Sequence, residues 1–127
     1  IVAPRNKFHD IIDDFFAETG KKISRKDSKF IFNKEGRPSM SWKDLSSGEK
    51  QVLYIFAKVL LQRNAPVVLL MDEPEISMHV DWQEKLIENI LELNPYCQLV
   101  IATHSPSVIS LKWREFVVNM EDLKVQK

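Results

Sequence analysis

Glycine is scarce here. Gly20, Gly36 and Gly48 are the only three in 127 residues, so the chain has no glycine-rich loop and each position carries information. Cysteine is scarcer still. Cys97 stands alone, which excludes an internal disulfide framework and fits a reducing, cytoplasmic compartment. Long apolar runs are missing, so no segment reads as a bilayer span, and the first residues do not read as a signal peptide. Net charge is also missing: 18 Lys/Arg balance 18 Asp/Glu. That balance argues against a wholly basic nucleic-acid binder but leaves room for a basic patch. Residues 1–40 carry nine Lys/Arg against six Asp/Glu, and the remainder nine against twelve. Repeats and low-complexity tracts are absent. What is present is an ordinary globular composition, 44% hydrophobic and 28% charged, in a length that suits one domain with its own core. The first residue is Ile1 rather than Met, which suggests a piece of a longer protein.

The apolar pattern divides the chain into elements. Phe8, Ile11, Ile12, Phe15 and Phe16 follow one helical stripe, with Pro4 suited to the first turn and Gly20 to the stop. His9, Asp10, Asp13 and Asp14 lie off that stripe and read as a solvated face. Residues 29–32 and 39–42 flank a Gly-Pro-containing turn and read as a hairpin, with residues 24–27 as a further edge strand. The second half alternates: helix at 46–63, strand at 67–71, helix at 80–93, strand at 98–102. Both of these strands are continuous apolar runs, as expected where a parallel sheet is covered on both faces. Together with the intervening helix they make a β-α-β unit. A short helix at 107–114 and a strand at 116–119 are expected to follow. The fold class is therefore α/β, parallel strands flanked by helices, preceded by a helix and a hairpin.

Three polar clusters sit at element ends. Leu45 to Gln51 opens the most hydrophobic helix, and Ser46 with Glu49 fits a capping box. Capping does not explain Gly48, which costs about 0.5–1 kcal/mol in a helix relative to alanine. Close backbone approach to another group would justify it, and free N–H groups beside Ser47 suit an anion. Asp72-Glu73-Pro74-Glu75 follows the first apolar strand, where ligands of open parallel sheets bind. Asp72 suits a hydrated Mg²⁺, and Glu73 could polarise an attacking water. Thr103-His104-Ser105 follows the second strand. If the two strands are neighbours, His104 and Glu73 share one rim.

Jointly, the clusters resemble the ATP-binding-cassette (ABC-type) ATPases, a branch of the P-loop NTPases. LSSGEKQ (45–51) looks like their signature motif, VVLLMDEPE (67–75) like a Walker B strand with its glutamate, residues 76–79 like the D-loop, and IATHSP (101–106) like the switch-histidine loop. The motifs stand in the family's order, and the likeness is strong over residues 40–110. DEPE followed by ISMHVDWQ is similar to bacterial soluble SMC/RecF-like and OLD-like ATPases, which serve DNA repair, chromosome handling or phage defence. The resemblance implies ATP and Mg²⁺ as ligands. It implies Mg²⁺ on Asp72, Glu73 as general base and His104 at the γ-phosphate. Ser46, Ser47, Gly48, Glu49 and Gln51 would contact a nucleotide held mainly by a second subunit. Ser77, Met78 and His79 would line an ATP-dependent homodimer contact, with DNA or a nuclease as a further partner.

One part of that pattern is missing. No G-x-x-x-x-G-K-[ST] motif occurs; Gly20-Lys21-Lys22, Gly36-Arg37 and Gly48-Glu49 all fail it. Residues 1–127 are thus expected to be the C-terminal part of an ATPase domain, inactive alone, either cut from a longer chain or serving naturally in trans. An uncovered sheet side and self-association are further expectations. The alternative is a non-catalytic nucleic-acid or protein-binding module, in which the basic region 1–40 and Phe30, Phe32 and Trp42 form the contact surface.

Overall fold

The computed structural model describes residues 2–125. Helix α1 (Val2–Phe15) ends in a 3-10 turn (Ala17–Thr19) and at Gly20. Gly20 adopts the left-handed region, φ 72°, where a side chain is disfavoured. Strands β1 (Lys22–Ile23), β2 (Ile31–Asn33) and β3 (Met40–Ser41) then form a small antiparallel sheet. Helix α2 (Ser47–Leu61), strand β4 (Val68–Asp72), helix α3 (Val80–Leu93) and strand β5 (Gln98–Ala102) follow. A short helix α4 (Pro106–Ile109) and 3-10 turns at Leu111–Phe116 and Met120–Leu123 complete the described residues.

Strands β4 and β5 pair in parallel, Val68 opposite Gln98 through Asp72 opposite Ala102. This register brings the two strands' carboxyl ends level, so the residues beyond Asp72 and Ala102 emerge side by side. The expected β-α-β unit is present, and the expected hairpin is β2–β3. Three expectations need correction. The extra edge strand is Lys22–Ile23 rather than 24–27, because Ser24 makes the last bond towards β2, to the Ile31 carbonyl, and the chain then bends at Arg25 and Lys26. Residues 116–119 form no strand, and Val117 and Val118 are exposed with no partner strand beside them. The β4–β5 strands are not covered on both faces, and the uncovered sheet side also expected is present: Leu69, Met71 and Leu99 pack on the core, whereas Val68, Leu70 and Val100 are exposed.

The core joins α1, α2, α3 and the hairpin. Phe8, Ile11, Ile12, Phe15 and Phe16 of the α1 stripe are all buried. Phe15 meets Phe56 of α2 at 5.3 Å between ring centroids and Trp82 of α3 at 5.9 Å. Phe16 meets Phe32 of the hairpin at 5.7 Å. Each such burial contributes about 1.5–3 kcal/mol. Phe32 is thereby fully buried, which removes it from the stacking surface the binding-module reading requires.

The off-stripe side of α1 is not simply solvated. Asp13 accepts the Ile23 N–H at 2.9 Å and pairs with Arg25 at 2.8 Å, while Arg25 also reaches Asp10 at 2.7 Å. These contacts dock β1 and the residues that follow it on α1, and His9 is buried there. Burial, with Arg25 and Arg5 nearby, pushes the His9 pKa down.

Candidate functional site

The carboxyl ends of β4 and β5 form a rim. Glu73 extends the ladder by one step, donating its N–H to the Ala102 carbonyl at 2.7 Å. Its backbone is left-handed, φ 45°, a conformation costing a non-glycine residue about 1–3 kcal/mol and concentrated at functional sites. His104 projects from the neighbouring loop. Its Nε2 stands 3.6 Å from Glu73 Oε1, with 94% of the imidazole side chain exposed and 40% of the glutamate side chain. Asp72 is exposed beside them. The register therefore brings Glu73 and His104 together, with Asp72 the residue before Glu73 at the end of β4.

A Mg²⁺ ion fits Asp72. Mg²⁺ keeps several waters and takes one or two carboxylates plus phosphate oxygens. No group of three or more His, Cys, Asp or Glu suited to a metal ion occurs among the described residues, so an ion here would need oxygens from the nucleotide.

The start of α2 forms the second half of the site. Ser46 is its N-cap: the hydroxyl accepts the Glu49 N–H at 3.3 Å, and Glu49 Oε1 accepts the Ser46 N–H at 2.9 Å. Ser47 is exposed at the first helical position. Gly48 is buried, and a Cβ there would run into the backbone carbonyl of Ser77. The close approach inferred for this glycine therefore has an intramolecular partner. It clamps α2 against the 76–79 segment, where Ser77 is itself left-handed, φ 67°. Gln51 adds a second tie, donating Nε2–H to the Pro74 carbonyl at 3.3 Å.

Two side chains of the expected site residues, one from the dimer-contact set and one from the nucleotide-contact set, point inward. Met78 belongs to the core. The Glu49 carboxylate is buried and takes both Lys21 Nζ, at 2.8 and 3.0 Å, and Thr19 Oγ1, at 3.3 Å. Burial opposes its ionisation most strongly, but hydrogen bonds from Lys21 and Ser46 outweigh it and hold the pKa below the usual range. Glu49 thus anchors the start of α2 to the residues after α1, with both carboxylate oxygens bonded within the chain. Ser46, Ser47, Ser77 and His79 remain at the surface.

A connected set of side chains behind the rim was not singled out by motif reasoning. Glu75 is buried and accepts the Thr103 hydroxyl hydrogen bond, while its Oε2 has no partner among the described residues. Thr103 Oγ1 accepts the Ser105 N–H at 3.0 Å. Ser105 donates its hydroxyl proton to Gln83 Oε1, and Gln83 Nε2 donates to the Met78 carbonyl at 2.9 Å. The available signal was a third carboxylate after Pro74 and a hydroxyl on each side of His104.

A parallel β-α-β rim bearing Asp72, Glu73 and His104, with a capped helix start clamped beside it, defines an ABC/AAA-type ATPase fold of the SMC-like kind. The chain belongs to the family described as "AAA domain, putative AbiEii toxin, Type IV TA system", whose profile matches residues 3–110. It is 31% identical over 98 residues to the "Retron Ec83 probable ATPase" of Escherichia coli, covering 68% of this chain and 18% of that protein. Its fold resembles an SMC head bound to the C-terminal winged-helix domain of ScpA (TM-score 0.64, 16% identity), covering 85% of this chain and 36% of that one. It also resembles the SMC head domain of Thermotoga maritima (TM-score 0.58, 21% identity), covering 82% and 38% respectively. A third similar structure, from work on ATP-driven dimerization and DNA-stimulated activation of SMC ATPases, has a TM-score of 0.55 at 16% identity and covers 85% and 74%. The chain thus spans about a fifth of the curated relative's length and just over a third of the first SMC head's. No helix among the described residues is long and apolar enough to cross a membrane.

Proposed function

We propose that this chain supplies one half of a composite ATP-hydrolysing site: signature helix, Walker B carboxylates and switch histidine. The observation that carries the reading is the shared rim, with His104 Nε2 3.6 Å from Glu73 Oε1 at the ends of adjacent parallel strands. Phosphoryl transfer to water demands positioning and charge stabilisation rather than covalent chemistry from the protein, and the rim offers groups for both.

In this reading Glu73 orients the attacking water and accepts its proton, and His104 donates a hydrogen bond to the γ-phosphate. Asp72 would hold Mg²⁺, which would supply neutralisation of the charge on the phosphates. Ser47, exposed at the positive end of α2, donates to the γ-phosphate of a nucleotide carried by the second subunit. In this reading residues 1–127 act as the C-terminal part of an ATPase domain, and the phosphate-gripping loop that this sequence does not contain is supplied by other residues, in the same protein or in a partner. ATP then bridges two subunits, and hydrolysis releases them. The relative's name, a retron probable ATPase, supports the ATPase part of this reading; the proposed role is cytoplasmic, in DNA repair, chromosome handling or phage defence, with DNA or a nuclease as the element moved.

The test is Ser47→Arg in the full-length protein. The added bulk at the helix start should abolish ATP-dependent dimerisation and turnover while each subunit still binds nucleotide. Dimerisation at the wild-type ATP concentration would contradict a shared site.

A further inference from the structure

We propose that Glu75 positions the His104 loop: by holding Thr103 it sets where the imidazole stands over Glu73. The proposal deepens the ATPase reading, since it takes Glu73 and His104 as the hydrolytic pair and adds the residue that fixes their relation.

His104 does little to place itself. Its side chain is 94% exposed, and its one ion-pair-range neighbour among the described residues is Glu73. The residues on either side are held instead. Thr103 donates its hydroxyl proton to Glu75 Oε1 and accepts the Ser105 N–H at 3.0 Å, so one hydroxyl links the acidic turn to the loop backbone on the far side of His104. Ser105 continues through Gln83 to the carbonyl of Met78. The loop is thus tied at 103 to the Walker B turn and at 105 to the segment carrying Ser77 and His79.

The chemistry of Glu75 supports a positioning role. A buried carboxylate with an unpartnered oxygen is a poor choice for packing alone, and such groups call for an explanation. What a carboxylate adds is strength: a hydrogen bond to a charged acceptor is shorter and about twice as strong as a neutral one. One such bond makes Thr103 a rigid post beside His104. Misplacing a catalytic group by about 1 Å costs up to about 100-fold in rate, so a loosened post should be visible in turnover.

The experiment uses the full-length protein with Glu75→Ala, Thr103→Val and the conservative pair Glu75→Gln and Thr103→Ser. Glu75→Ala and Thr103→Val should lower kcat about 10- to 100-fold and change KM for ATP by much less, because His104 is one contact among the several that bind the nucleotide. Thr103→Ser should restore most of the turnover, and Glu75→Gln, a neutral acceptor, should fall between. In a His104→Ala background Glu75→Ala should cost almost nothing more, since both act through one group. Losses that multiply independently of His104 would overturn the proposal.

Amide hydrogen exchange at Ser105 gives a readout that needs no nucleotide. Exchange should accelerate in Glu75→Ala and Thr103→Val and stay slow in Thr103→Ser. Unchanged exchange overturns the proposal whatever the kinetics. A wild-type protein without turnover would overturn the ATPase reading, and Ser105 exchange would still decide whether Glu75 holds the loop. If Glu75→Ala does not fold, Thr103→Val and Glu75→Gln carry both measurements.

Discussion

His104 Nε2 lies 3.6 Å from Glu73 Oε1, although 31 positions separate them in the chain. The parallel register of β4 and β5 produces this meeting, because Asp72 and Ala102 are paired residues and each loop leaves its strand at the same level. The left-handed backbone of Glu73 turns the chain just past the end of the ladder.

Gly48 is required by backbone, not by ligand alone. The clashing atom is the Ser77 carbonyl oxygen, which cannot rotate away as a side-chain end could. Gly48→Ala should therefore destabilise the protein by about 1–3 kcal/mol, the usual range for overpacking, and should displace the 76–79 segment. Denaturant melts measure the first effect. An alanine variant of wild-type stability would contradict the clamp.

Glu49 predicts a pH dependence of stability. Its folded pKa is lowered, so its contribution is present above the ordinary glutamate value, about 4.3, and is lost as pH falls through the lower folded value. Glu49→Gln should flatten that part of the acid limb. Lys21→Met should cost on the order of 3 kcal/mol, because it leaves a buried charge without its partner. Urea melts from pH 7 to pH 3 check both effects; an acid limb unaltered by Glu49→Gln would count against the assignment.

Asn94 ties the end of α3 to the turns before β4 and β5. It is fully buried and donates to Gln62 Oε1 at 2.9 Å and to the Ala65 carbonyl at 3.0 Å, while its Oδ1 accepts the Tyr96 N–H at 3.1 Å. Asn94→Ala strands those partners, each unmet buried group costing about 1–3 kcal/mol. A loss below about 1 kcal/mol in thermal or urea melts would mean that water replaces the side chain.

The strong periodicities and end motifs were legible in the sequence because each is local. The α1 stripe, the capping box at Ser46 and both apolar strands depend on neighbours a few residues apart. The misreadings came from tertiary partners. His9 looks solvated until β1 and Arg25 are placed over α1. Apolar runs in β4 and β5 resemble doubly covered strands, but side-chain alternation leaves Val68, Leu70 and Val100 exposed. At the site, Glu49 has the same spacing whether it faces a nucleotide or Lys21, and only the fold distinguishes them. The Glu75–Thr103 bond spans 28 residues, so no local pattern announces it.

In the proposed site Glu73 activates the water, and ATP bridges the two subunits. The most direct measurement pairs ATP turnover with ATP-dependent dimerisation in full-length Glu73→Gln. Turnover should fall to background, with a dimer that forms on ATP addition and persists. Unchanged turnover in that variant would contradict the role of Glu73.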